Sequence, residues 1–177
     1  MTSQQPSRTS ATSRLGASLT SILVVIAIVV GLWLWWSATG APAQQGGKIR
    51  SGWLENHDQA VADARTAGRP ILVNFTGSDW CGWCVKLRDE VFDTGVFAAW
   101  AKDHVVLLEC DFPRNKALAP ELRQQNAKLA DRYGIEGFPT LLVLSAQGDE
   151  IARAGYRRGG AEAWIDALEA QIKRGGR

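Results

Sequence analysis

Three side chains in this chain of 177 residues can exchange electrons by themselves: the thiols of Cys81, Cys84 and Cys110. Two of them form a C-x-x-C, Cys81-Gly82-Trp83-Cys84. A dithiol closes to a disulfide when its β-carbons lie about 4 Å apart, and two intervening residues at the start of a helix deliver that spacing. The same helix start offers free N–H groups and a partial positive charge, which favour a thiolate. Cys81, ahead of the first turn, is expected to be the exposed nucleophile; Cys84, inside the turn, is expected to resolve a mixed disulfide. Three cysteines are too few for a disulfide-stapled scaffold.

A C-x-x-C also serves zinc, but zinc needs two further ligands. The spare candidates are Cys110, His57 and His104, without a second motif spacing. No metal site is expected. Cys110 follows an apolar run and reads as a buried, packing thiol; the sharper alternative is a third redox thiol or an intermolecular link. Trp80 and Trp83 flank the nucleophile, as an apolar contact surface or as packing residues. The reading favours contact for Trp83 and leaves Trp80 open. The polar segment Pro113-Arg114-Asn115-Lys116 reads as a solvated loop, a kind of segment that can also carry partner specificity.

The elements that must position these residues follow from periodicity. Trp53, Leu54, His57, Ala60, Val61 and Ala64 have helical spacing, closed by Gly68 and Pro70. Residues 71–75 form a short apolar run, a buried strand. Gly77-Ser78-Asp79 turns the chain into a helix beginning near Cys81, with Cys84, Leu87, Val91 and Phe92 along one stripe. Residues 105–108 predict a second strand, 121–133 a helix capped by Gly134, and 140–144 a third strand. A turn at 146–149 leads to a hairpin partner at 150–154. Trp164, Ile165, Leu168 and Ile172 mark a last amphipathic helix. Alternation ending in a hairpin predicts an α/β domain, a mixed central sheet flanked by helices. There is no internal repeat.

Ahead of this domain, residues 15–36 carry no charge and centre on residues 22–30, all Ile, Leu, Val or Ala. A spanning helix needs about 20 apolar residues. Trp33, Trp35 and Trp36 sit at the far end, where aromatic rings favour a membrane interface, and Arg8 and Arg14 precede the run. The expectation is one N-terminal transmembrane helix with the domain outside the cytoplasm. The alternative is a signal segment cleaved near Ala41-Pro42-Ala43, which leaves the domain in the same compartment, though the run exceeds the usual length of a signal core. The expected organisation is a disordered cytoplasmic tail at 1–14, the anchor or signal segment at 15–36, a linker at 37–49 and a domain at 50–177. Of the 20 lysines and arginines, Arg8 and Arg14 precede the run, which leaves 18 against 18 acidic residues. A formally neutral domain argues against nucleic acid as a partner.

The apolar strand Ile71-Leu72-Val73-Asn74-Phe75, then Trp80-Cys81-Gly82-Trp83-Cys84, then Gly137-Phe138-Pro139-Thr140 resembles the thioredoxin family over residues 52–173. The likeness is nearest to bacterial thioredoxin-like proteins and the thioredoxin-like domain of thiol:disulfide interchange proteins. It implies the thioredoxin fold, a cis Pro139 beside the active site, and substrate contacts from Trp80, Gly82, Trp83, Phe138 and Pro139. One departure stands out. The family carries a buried aspartate on the strand before the motif, and the matching position in this sequence is Asn74, after which the turn is one residue longer. Asparagine cannot act as a general base; Glu109, Asp111 and Lys86 are candidate substitutes.

The resemblance implies a thiol–disulfide oxidoreductase acting on protein thiols and disulfides, needing no metal or organic cofactor. Gly82-Trp83 lacks the histidine associated with strong oxidants in the family, which favours a reductant or isomerase. A reductant outside the cytoplasm, with one membrane span of its own, implies a membrane reductase as electron donor. Two other classes fit less well: a non-catalytic binding or chaperone-like module, since fold does not fix function, and a metal carrier using the two thiolates.

Overall fold

The structure, a computed structural model, describes residues 23, 26–31 and 52–175. The chain divides into two units, Met1–Gln45 and Gly46–Arg177. In the first, Leu23 and residues 26–31 are helical with exposed side chains. The rest of the expected anchor at 15–36, and the expected tail and linker, lie outside the described residues. Among the described residues no helix is long and apolar enough to cross a membrane.

The second unit is a five-stranded mixed sheet with helices on both faces. Its strands are β1 (Trp53–Leu54), β2 (Ile71–Thr76), β3 (Val106–Asp111), β4 (Thr140–Leu144) and β5 (Glu150–Ala154), in the order β1-β3-β2-β4-β5. β1 and β2 run parallel to β3, while β2–β4 and β4–β5 are antiparallel. The helices are α1 (His57–Ala67), α2 (Gly82–Leu87), α3 (Gly95–His104), α4 (Pro120–Arg132) and α5 (Gly160–Gly175). α2 runs on into a π-helical turn, Arg88–Phe92.

Local chemistry sets the helix ends. The Asn56 side chain accepts from Gln59 N–H at the start of α1, and Gly68 closes it at φ 63°. Thr94 caps α3 through Phe97 N–H, and Pro120 opens α4.

Side-chain alternation divides the core in two. Along β2, Leu72 joins Trp53, Leu87, Phe92, Phe97, Leu141 and Trp164 on one face, and Ile71, Val73 and Phe75 join Ala60, Ala64, Leu108 and Leu142 on the other. Every residue of β2 is buried, as befits the central strand.

Three expectations need correction. Trp53 and Leu54 do not open a helix; they pair with Leu107 and Leu108 as a two-residue edge strand, and the helix starts at His57. Strand β3 begins at Val106, not Val105, and runs through Cys110 to Asp111. Residues 95–104, for which periodicity predicts no element, form α3.

Candidate active site around the 81–84 disulfide

Cys81 occupies the N-cap of α2 in extended conformation, and Cys84 N–H donates to its Sγ at 3.2 Å. The two sulfurs are bonded, with Cα atoms 5.2 Å apart. Both cysteines are buried, Cys81 at 7% and Cys84 at 4% exposure, so in the disulfide form Cys81 is not the exposed thiol expected from its place ahead of the first turn. Gly82 is exposed, with open space where a β-carbon would stand.

The turn that delivers Cys81 is latched to the segment after β3. Asp111 accepts from Ser78 N–H (2.9 Å), Ser78 Oγ–H (2.7 Å) and the Lys116 ammonium (2.8 Å). Asp79 accepts from the backbone N–H groups of Arg114 (3.0 Å), Asn115 (2.7 Å) and Lys116 (3.1 Å). These amides, that of Arg114 first, hold its carboxyl below the ordinary aspartate range. Trp80 Nε1–H donates to Phe112 O at 2.8 Å. The turn fits only without a side chain at Gly77, where a β-carbon would lie 2.4 Å from the Trp80 ring.

Aromatic rings build the rim. Trp80 meets Phe138 edge-on at 5.8 Å, and Phe138 packs on Phe112. The Phe138–Pro139 peptide is cis, and Gly155 sits against Pro139 O. The next residue, Tyr156, packs on Trp83 at 5.1 Å. Lys86 lies over both of these rings and pairs with Glu90, which also accepts from Tyr156 OH at 2.8 Å. Trp83 is 54% exposed and Trp80 half-buried. The structure thus brings Phe138, joined to Pro139 by the cis peptide, against Trp80 at the start of the 80–84 motif.

Other tempting residues lie elsewhere. Cys110 is fully buried in the opposite core, and that burial pushes its thiol well above the ordinary range. His57 opens α1, with its backbone N–H bonded to Gln125, and His104 ends α3, stacked on Trp100. Among the described residues no group of three His, Cys, Asp or Glu side chains is placed to hold a metal. Of the candidate substitutes for the missing aspartate, Asp111 and Lys86 are engaged with the partners named, and Glu109 lies opposite Asn74, whose amide nitrogen is 3.5 Å from Glu109 Oε2. Sequence reasoning missed Tyr156, Glu90 and Asp79. Only Arg114 had a signal, its place in the polar loop at 113–116.

A family model described as the thioredoxin-like domain matches residues 57–172. The disulfide bond reductase DsbH of Chlamydia pneumoniae is 34% identical over 138 residues, 77% of this chain and 83% of that protein. The thioredoxin-related protein DsbJ of the same organism is 32% identical over 103 residues, 58% of this chain and 30% of that longer protein. A solved structure of a DsbH oxidoreductase superposes with a TM-score of 0.67 at 32% identity, covering 78% of this chain and 98% of that one. With the mixed sheet, the N-cap disulfide and the cis Phe138–Pro139 peptide, these matches show that the chain belongs to the thioredoxin-like family.

Proposed function

We propose that the chain is a thiol–disulfide oxidoreductase that reduces or isomerises disulfides of other proteins through Cys81 and Cys84. The observation that carries this reading is the Cys81–Cys84 disulfide at the N-terminus of α2. In the reduced protein the Cys81 thiolate attacks one sulfur of a substrate disulfide, and the other substrate sulfur leaves as a thiolate. Cys84, deprotonated, then attacks Cys81 Sγ; the intramolecular disulfide forms and the second substrate thiol departs. Two electrons pass from the dithiol to the substrate, and the chemistry consumes no metal or organic cofactor.

In this reading Trp80, Gly82, Trp83, Phe138 and Pro139 receive the substrate chain. The similarity to a disulfide bond reductase supports the reducing direction. The charge-free run at 15–36 behind Arg8 and Arg14 supports a membrane anchor, with the 50–177 domain on the extracytoplasmic, periplasmic side. There a membrane reductase would return the electrons.

A Cys84→Ser variant tests the assignment. It should accumulate a mixed disulfide with a substrate protein, at Cys81 by mass mapping. A variant that traps nothing, or traps through Cys110, would refute the roles of Cys81 as nucleophile and Cys84 as resolving thiol.

A further inference from the structure

The acidic groups around the disulfide are already engaged, whereas among the described residues three arginines of the adjoining segments have no ion-pair partner. Asp79 is occupied by three backbone amides, Asp111 by Ser78 and Lys116, and Glu90 by Lys86 and Tyr156. Glu136, ahead of Phe138, lies within electrostatic reach of Arg153. By contrast the Arg114 guanidinium lies over the Trp80 ring, 3.7 Å from its centroid, with no carboxylate partner among the described residues. Its backbone is fixed by Asp79, and the ring beneath it by Phe112 and Phe138. Arg157 and Arg158 follow Tyr156, the residue that packs on Trp83; both are exposed, and neither has an ion-pair partner among the described residues. Cations without an ion-pair partner among the described residues thus lie on Trp80 and next in sequence to Tyr156, although lysines and arginines equal acids after the apolar run.

We infer that this rim is an interaction surface for a polypeptide bearing acidic residues beside its disulfide, with Arg114, stacked on Trp80, and Arg157 and Arg158, which follow Tyr156, as specificity determinants. The inference rests on the proposed oxidoreductase function and adds the substrate class. A guanidinium held flat on an indole keeps its N–H edge open to a carboxylate and loses little freedom on binding. The paired rings of Trp83 and Tyr156, and of Trp80 and Phe138, offer contact to the apolar part of a chain. The charge of these arginines then selects among chains.

The test uses the full-length reduced chain and three disulfide-bridged peptides, identical except for Asp, Ser or Lys on both sides of one cysteine. The second-order rate of disulfide reduction is divided by the rate of the same peptide with dithiothreitol, which removes intrinsic reactivity. Each exposed charge pair contributes up to about fivefold. The Asp peptide should therefore react on the order of tenfold faster than the Lys peptide at low salt. That ratio should approach one in about 1 M salt, where the screening length is about 3 Å. In an R114Q/R157Q/R158Q variant it should approach one without added salt. An Asp-to-Lys ratio near one for the wild-type chain, or one unmoved by salt, overturns the inference, whether or not the variant folds. Reduction of the Ser peptide by wild type keeps the oxidoreductase reading standing in that case; reduction of none of the peptides would overturn both.

Discussion

Asn74 lies opposite Glu109 in the β2–β3 register, its amide nitrogen 3.5 Å from Glu109 Oε2, while its own Oδ1 is buried without a hydrogen-bond partner among the described residues. Leu72, two residues earlier on the same face, shares a core with Leu87 of α2. Cys84 lies one turn before Leu87 on α2. An amide accepts a hydrogen bond but not a proton. Asn74→Asp should therefore accelerate release of a mixed disulfide trapped at Cys81, by about a hundredfold, the low end of general acid–base effects. Single-turnover release with a defined disulfide substrate measures it; an unchanged rate would show that the Asn74 position has no part in proton transfer.

Gly77 is set by contact rather than by backbone angle. A β-carbon there would press on Trp80 from 2.4 Å, and the indole could yield only by giving up its bond to Phe112. Gly77→Ala should cost about 1–3 kcal/mol, as overpacking does, and alter tryptophan fluorescence. Denaturant unfolding checks this; a variant as stable as the wild type would mean the turn relaxes freely.

The Asp79 latch should make stability depend on acid pH. Its folded-state pKa lies below the ordinary 3.8 because backbone amides, that of Arg114 foremost, bind the carboxylate. A depressed pKa means stabilisation that is fully present above the unfolded value and fades as pH falls through the folded one. The melting temperature of wild type should thus exceed that of Asp79→Asn by a constant margin above about pH 5, and the margin should shrink below about pH 4. A margin that holds constant through acid pH would contradict the latch.

Cys110 should be chemically silent. It is fully buried between strands, and both that burial and nearby Glu109 disfavour its thiolate. The native protein should therefore leave Cys110 unmodified by an alkylating agent that labels reduced Cys81 at once, and unfolding should expose it. Labelling of Cys110 at a rate comparable to Cys81 in the native state would contradict this placement.

The elements legible in the sequence are those whose signal is local. Strands at 71–75, 140–144 and 150–154 stand out as short apolar or alternating runs, and the cysteine pair marks a helix start by its spacing. β1 was not legible because two residues hold no periodicity; its existence depends on Leu107 and Leu108, half a domain away in sequence. Helix α3 escaped because Gly95 and a short apolar stripe around Phe97 and Ala101 suit a loop as well as a helix, and the Thr94 cap is visible only in place. The aromatic site residues were identified, but their supports were not. Asp79 reads as an ordinary turn residue until the loop after β3 brings three amides to it, and Tyr156 has no pattern of its own until it meets Trp83.

The central claim, that Cys81 and Cys84 form a reversible two-electron couple, is tested most directly by redox titration. The full-length chain would be equilibrated in glutathione buffers of graded potential and its free thiols trapped with a mass tag. The account predicts a single two-thiol transition at Cys81 and Cys84, with Cys110 reduced throughout and a midpoint near about −270 mV, as for a reductant. A midpoint near about −120 mV would reverse the proposed direction, and the absence of any transition at the two cysteines would contradict the claim itself.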